Sequence, residues 1–128
     1  MNAPANLTPF EPHRHFKDRV LQRFGRDVDA TALWVKIVLA FDADDRETLS
    51  FMTRLRRDGT RLFMIRLEDG RPVFVIMSGT NPAPLTVFPE GFAIRRQGRR
   101  PYIARDPNTQ GAGDALLHQK NSKKKAAP

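Results

Sequence analysis

The chain has 128 residues, and 22 Lys and Arg against 14 Asp and Glu give it a formal net charge of +8. A chain of this length is expected to form one domain, because two independent hydrophobic cores would be hard to build from it. Its apolar runs fall short of the roughly 18 residues that cross a bilayer, and its first residues lack the pattern of a secretory signal. The chain has no Cys, which excludes disulfides and thiolate chemistry and suits a cytoplasmic protein.

Two helices are predicted in the first third of the chain. Apolar side chains recur every fourth residue from Phe16 to Phe24, which predicts a helix over residues 10–24. A second helix is expected to begin after Asp29, a favourable N-cap residue, and to run to Phe41. Because this second segment is apolar on nearly every side, we expect it to be the buried helix.

The hydrophobic period then changes to two, which predicts strands. The predicted strands cover residues 49–55, 61–67, 72–77 and 85–88. In the first strand, the side chains expected to share one face are Leu49, Phe51, Thr53 and Leu55. Asp58-Gly59 and Asp69-Gly70 are hairpin turn signals at matched spacing, so the strands should form an antiparallel meander.

The element order α-α-β-β-β-β predicts an α+β fold, with two N-terminal helices packed on one face of a four-stranded antiparallel meander sheet. Residues 90–104 are expected to add an edge segment through Phe92 and Ile94. The expected organisation is a flexible lead-in, a single α+β domain and a flexible basic tail, over residues 1–9, 10–104 and 105–128.

Arginine is concentrated late in the chain. Five Arg and no acidic residue occur between residues 91 and 105, and an aromatic residue lies among them: Arg95, Arg96, Arg99, Arg100, Tyr102 and Arg105. Basic surfaces attract polyanions, and clustered Arg with an interleaved aromatic ring suits a phosphate track with base stacking. The first five of these residues are therefore predicted to bind nucleic acid. The alternative is a mobile basic loop that adheres weakly to any polyanion.

A second candidate site is a stripe on the first helix. His15, Arg19 and Arg23 are spaced by four and so share one side of the helix. An imidazole that transfers a proton beside fixed guanidinium groups is what metal-free phosphodiester cleavage requires. The alternative is a solvated helix face, and His13 is an equal candidate for the functional histidine. Thr86 interrupts an apolar strand and is either a site hydroxyl or simply a good strand former.

The two-helix start with His-x3-Arg-x3-Arg and the meander ending in Leu-Thr-Val-Phe-Pro resemble the RelE/ParE-type toxins. More broadly they resemble the metal-independent ribonucleases that include barnase-like and colicin-type domains. The resemblance covers roughly residues 10–104. The sequence also resembles those of compact bacteriophage-encoded proteins, and this resemblance implies a phage origin.

The resemblance implies two helices on a twisted antiparallel sheet whose active members cut RNA on the concave face, without metal or another cofactor. It implies an acid or base role for His15, phosphate binding by Arg19 and Arg23, and a polar site residue at Thr86. The groove would be extended by Arg95, Arg96 and Tyr102.

The leading hypothesis is therefore a cytoplasmic, RelE-like RNA-binding domain that acts as a metal-independent endoribonuclease toxin. Its expected partners are RNA or another nucleic acid and an antitoxin or host protein, and no membrane is involved. The alternative is a non-enzymatic phage or plasmid accessory protein that binds nucleic acid, a host protein or a virion component. A third hypothesis is a structural assembly protein whose sheet edge pairs with a neighbour.

Overall fold

The computed structural model describes residues 12–79 and 83–108, and the two helices precede all the strands. The helices are α1 (Arg14–Phe24) and α2 (Ala30–Asp42). The strands are β1 (Ser50–Arg54), β2 (Arg61–Arg66), β3 (Pro72–Met77), β4 (Pro84–Phe88), β5 (Ala93–Arg96) and β6 (Arg99–Ile103). The first four strands form one antiparallel sheet in the order β1-β2-β3-β4. The predicted α+β class is confirmed. The predicted lead-in, residues 1–9, lies outside the described residues.

Capping residues define the end of α1 and the start of α2, as the sequence predicts. Gly25 follows α1 with φ 87°, a left-handed backbone conformation that favours glycine. The carboxylate of Asp29 accepts a hydrogen bond of 3.1 Å from the backbone N–H of Ala32 and so caps α2. Helix α1 buries Phe16 and Val20 completely, which confirms the apolar stripe. No helix in the described part of the chain is long and apolar enough to cross a membrane.

The helices cover one face of the sheet and form the larger core with it. Trp34 and Ile37 of α2 are buried against side chains from β2, β3 and β4, including Ile65, Val75 and Val87. Alternation along each strand places every second side chain in this helix-side core. Burial of this apolar surface is the main source of stability for the fold.

Strand β1 contains a β-bulge that the sequence pattern does not reveal. The register moves from Phe51 opposite Phe63 to Thr53 opposite Leu62, so Met52 is the extra residue. A bulge shifts the alternation of side chains by one position, so the residues just before and just after the extra residue project to opposite faces of the sheet. Phe51 therefore lies on the helix side, where its ring contacts Phe63, while Thr53 faces the other side of the sheet. The prediction that both share one face is wrong.

Strands β5 and β6 form a separate two-stranded hairpin that packs on the sheet face opposite the helices. Ile94 and Ala104 of this segment are buried against Leu62, Met64 and Phe74 of the central strands. The prediction that residues 90–104 form an edge segment of the sheet is therefore wrong. The physical reason is that the sheet is apolar on both faces, and the hairpin covers the second one.

A partly buried ion pair fixes the chain beyond the hairpin. Arg66, at the end of β2, donates hydrogen bonds of 2.8 and 2.7 Å to the two carboxylate oxygens of Asp106. The backbone N–H of Asp106 donates to a carboxylate oxygen of Glu90 at 2.6 Å. Hydrogen bonding to Asp106 raises the pKa of Arg66 above its ordinary value. Asp106, in the predicted tail, is thus bonded to the domain, and residues 109–128 of that tail lie outside the described part.

Candidate functional site

The tip of the β5–β6 hairpin is held against the turn that joins β1 and β2. The backbone N–H of Gln97 donates to the carbonyl of Leu55 at 2.7 Å, and the Gln97 side-chain oxygen accepts from the backbone N–H of Arg57 at 2.8 Å. The guanidinium of Arg99 donates to the carbonyl of Arg54 at 3.0 Å. These bonds join two segments that are about 40 residues apart in the chain.

This contact assembles seven arginines at one end of the molecule, which we call the arginine cluster: Arg54, Arg56, Arg57, Arg95, Arg96, Arg99 and Arg100. None of them forms an ion pair with a carboxylate of the described residues. The nearby carboxylate of Asp58 accepts hydrogen bonds from the backbone and hydroxyl of Thr60. The hydrogen bond from the Thr60 hydroxyl has the largest effect on Asp58 and lowers its pKa, and the bond from the Thr60 N–H lowers it further. The cluster is therefore a surface of high positive charge.

Arg96 and Tyr102 form the inner part of the arginine cluster. The Arg96 guanidinium lies 5.6 Å from the centre of the Tyr102 ring and donates to the carbonyl of Arg100 at 2.8 Å. The Tyr102 hydroxyl lies 3.8 Å from the Met52 sulfur. Burial raises the pKa of Tyr102, and the charge of Arg96 opposes that shift. The half-buried Tyr102 ring therefore helps to hold Arg96 and the hairpin in place.

Three members of the cluster, Arg54, Arg56 and Arg57, were not predicted as site residues. Their signal is the run Arg-x-Arg-Arg directly before the Asp58-Gly59 turn. Considered without its tertiary contacts, this run is simply a set of solvated side chains beside a turn. Only the docking of the hairpin, a long-range contact, joins it to the later arginines.

The predicted stripe on α1 is partly engaged in structural contacts. His15 is exposed and makes no hydrogen bond or ring contact within the described residues. Arg19 donates to the side-chain oxygen of Gln22 at 2.9 Å. Arg23 donates to the backbone carbonyl of Val87, in edge strand β4, at 2.8 Å. Of the two candidate histidines, His13 is the N-cap residue of α1, and its ring packs edge-on against Trp34 at 5.1 Å.

Arg23 also reaches two aromatic rings at the base of the hairpin. Its guanidinium lies 4.3 Å from the centre of the Phe88 ring and 5.2 Å from that of Phe92. Partial burial, and then the charge of Arg19, lower the pKa of Arg23. A guanidinium stays protonated at neutral pH in spite of such a shift, so the charge is present at this site.

Thr86 does not join the α1 stripe. Its neighbour Val87 belongs to the helix-side core, so Thr86 and Phe88 project to the opposite, hairpin side of the sheet. The Thr86 hydroxyl is buried and has no hydrogen-bond partner within the described residues. Because this hydroxyl is buried, it is not part of the exposed surface of α1.

The two predicted sets of residues are not brought together. Helix α1 lies along edge strand β4, while the arginine cluster is carried by the β1–β2 turn and the tip of the β5–β6 hairpin. Strands β1 and β4 are the two edges of the sheet, about 14 Å apart at the usual strand spacing. The structure therefore presents two separate basic surfaces.

Comparisons with known proteins assign no family to this chain. No protein-family model, curated protein or solved structure matches it. Within residues 12–79 and 83–108, no group of three or more His, Asp or Glu side chains is arranged to hold a metal ion. Functional inference therefore depends on the geometry of the two basic surfaces.

Proposed function

We propose that the protein binds RNA, and that the arginine cluster is its main contact with the RNA backbone. The observation that carries this proposal is the set of seven arginines without a carboxylate partner in the described residues. Guanidinium groups pair two donors with a phosphate, and they release condensed counterions when they bind nucleic acid. Like charges held together this way oppose folding, so a polyanionic partner stabilises the arrangement.

The proposal is tested by removing three cluster charges whose side chains form no hydrogen bond, ion pair or ring contact within the described residues: Arg56, Arg95 and Arg100, each changed to Gln. For single strands, the logarithm of the binding constant falls with that of salt concentration by about 0.7 per phosphate contact. Loss of three contacts should therefore reduce this slope by about 2. If the two proteins bind equally at 1 M salt, the variant should bind about 100-fold more weakly than the unchanged protein at about 0.1 M salt.

The matched control removes the same charge elsewhere, with Arg26, Arg46 and Arg71 changed to Gln. These arginines are also exposed: Arg26 lies in the loop between α1 and α2, Arg46 in the loop between α2 and β1, and Arg71 in the β2–β3 turn. The assay is fluorescence anisotropy with a labelled single-stranded RNA across a salt titration. Equal losses in the two triple variants would show that only net charge matters, and the cluster would then not be a site.

A RelE-like cleavage activity is the second candidate function, and the exposure of His15 favours it. In this mechanism the ribose 2′-oxygen attacks phosphorus and the bond from phosphorus to the 5′-oxygen breaks. His15 carries the proton of the 2′-hydroxyl to the leaving 5′-oxygen, and Arg19 stabilises the charge that develops on the phosphate. Arg23 has a smaller part, because its guanidinium is already bonded to Val87 and stacked on Phe88.

Incubation with a mixed RNA pool in EDTA tests cleavage. Products from the unchanged protein that are absent with His15→Ala would support a metal-independent ribonuclease, provided that circular dichroism shows the variant to be folded. Products that persist in His15→Ala would remove His15 from the mechanism. Salt-sensitive binding without any product favours the alternative of a non-enzymatic accessory protein.

A cytoplasmic location is part of this proposal, because RNA is the proposed ligand and a chain without Cys suits a reducing compartment. Binding of an antitoxin, a host protein or a virion component stays a prediction. Co-purification of the full chain with and without ribonuclease treatment would separate a direct protein partner from one that is bridged by RNA.

A further inference from the structure

A second surface with ligand-binding character lies between α1 and the base of the β5–β6 hairpin. An open cleft of about 430 Å³ is lined there by Gln22, Arg23, Pro89 and Phe92. Phe92 is 39% exposed although it is a large apolar side chain. Its ring lies 5.4 Å from the Phe88 ring, centre to centre, so one side of Phe92 is supported by the protein.

The side chains of this cleft are held in place by their neighbours. Arg23 is fixed by its bond to Val87 and by its position over the Phe88 and Phe92 rings. The oxygen of Gln22 accepts from Arg19, which leaves the Gln22 amide N–H groups available to a ligand. The cleft therefore offers an aromatic ring, a planar cation and amide donors together, with no carboxylate among its lining residues.

This combination has the chemistry that recognises an unpaired nucleobase. Bases stack on aromatic rings and on guanidinium planes, and amide side chains bond to the base edges that are free in single strands. In a duplex the bases are stacked and paired, so a base can enter such a cleft only from a single strand. An apolar side chain of a protein partner would leave Arg23 and the Gln22 amide without a complementary group.

The position of the cleft also suits a nucleic acid that contacts the arginine cluster. Arg95 lies in β5, three residues after Phe92, which precedes the strand; this separation is about 10 Å at the usual rise of an extended chain. A short single strand can therefore place a base against Phe92 and its next phosphates against the arginines of the hairpin. The positive charge of Arg19 and Arg23 favours the same polyanion at the cleft itself.

We infer that the cleft formed by Gln22, Arg23, Pro89 and Phe92 is a nucleobase site, and that it gives the protein a preference for single-stranded over double-stranded RNA. This inference rests on the proposed RNA binding and adds to it the class of RNA. It also assigns Arg23 to base recognition instead of phosphate chemistry.

The test compares Phe92→Leu with the unchanged protein by fluorescence anisotropy. The ligands are a single-stranded RNA, the same strand in a duplex, and the same strand with abasic positions, all 2′-O-methylated so that a 2′-hydroxyl cannot attack. Leu keeps an apolar contact to Phe88 but removes the aromatic face. Loss of one stacked base should weaken single-strand binding by about 5- to 100-fold, with the salt slope and duplex binding unchanged. The abasic strand should bind both proteins equally.

Ile103→Ala is the matched control, because Ile103 is an apolar side chain of the same hairpin and is 40% exposed. It should leave all three affinities unchanged. If Phe92→Leu does not fold, as judged by circular dichroism, Gln22→Leu on the exposed side of α1 is the second variant, and it should also reduce the preference for the single strand.

The possible results separate this inference from the proposed function. Unchanged single-strand binding by Phe92→Leu, with a loss on Arg56, Arg95 and Arg100 substitution, overturns the base site and leaves RNA binding in place. The cleft would then suit a protein side chain. Equal losses for single strand and duplex would make the role of Phe92 structural and would also overturn the inference. An unchanged protein that binds no RNA at low salt would overturn both proposals.

Discussion

Replacement of Asp106 by Asn should destabilise the fold through the ion pair that ties the chain after β6 to β2. Asn keeps the shape of the side chain but removes the charge and puts an amide NH2 against the donors of Arg66. The Asp106 side chain is 10% exposed, and the two bonds to Arg66 are 2.8 and 2.7 Å long. Breaking a buried ion pair costs about 3–5 kcal/mol. The Arg66 side chain is 33% exposed and regains some hydration, so we expect a loss of about 2–3 kcal/mol.

The assay is urea unfolding followed by the fluorescence of Trp34, the one Trp of the chain, which is 1% exposed. A loss of this size should lower the urea midpoint by about 1–2 M with an unchanged slope. Urea is uncharged, so it does not screen the ion pair as guanidinium chloride would.

Asp44→Asn is the matched control for this experiment. Asp44 also pairs with an arginine, Arg46, at 3.1 Å, but the two side chains are 76% and 78% exposed. Its φ of 54° is a conformation that Asn adopts readily. The control should change stability by less than ~0.5 kcal/mol. An equally small effect of Asp106→Asn would refute the reasoning, because the ion pair would then not hold the hairpin segment to the sheet.

Two further predictions concern the sheet and the hairpin. Thr86→Val should leave the free energy of unfolding unchanged or raise it by up to ~1 kcal/mol, since a buried hydroxyl without a described partner is removed; a clear loss in urea unfolding would show that the hydroxyl is bonded. Tyr102 is the one Tyr of the chain, so phenolate absorbance reports on it alone. Because burial raises its pKa, the midpoint of the absorbance titration should lie above pH 10, and Arg96→Gln should raise that midpoint further. Because the folded pKa of Tyr102 is raised, its contribution to stability is complete below pH 10 and is lost as pH rises through that folded value. A midpoint at or below 10 would contradict its burial.

Much of the fold could be predicted because its signals are local. The Asp29 cap and the two Asx-Gly turns act within a few residues, and they define the start of α2 and the β1–β2 and β2–β3 hairpins. The bulge at Met52 could not be predicted, because β1 alternates regularly in sequence and only its partner strand shows the extra residue. The docking of the β5–β6 hairpin depends on contacts of Ile94 with the central strands, which no local pattern encodes.

The candidate site was predictable to a similar degree. The arginines of residues 95–100 form a basic run that is visible in the sequence and lies in one exposed hairpin. Arg54, Arg56 and Arg57 join them through tertiary contacts, so their contribution required the structure. The α1 stripe is a correct helical pattern, but periodicity alone did not reveal that Arg23 stacks on Phe88 and Phe92.

The hairpin connects stability with the proposed function in this protein. The resemblance implies RNA cleavage on a sheet face, and here the face opposite the helices is covered by the β5–β6 hairpin. RNA on that side would meet the outer surface of the hairpin, where Arg95 is exposed. The inner side of the same hairpin buries Ile94 and Ala104 in the second core. Substitutions that loosen the inner side should therefore weaken RNA binding as well, whereas Arg95→Gln should weaken binding at constant stability.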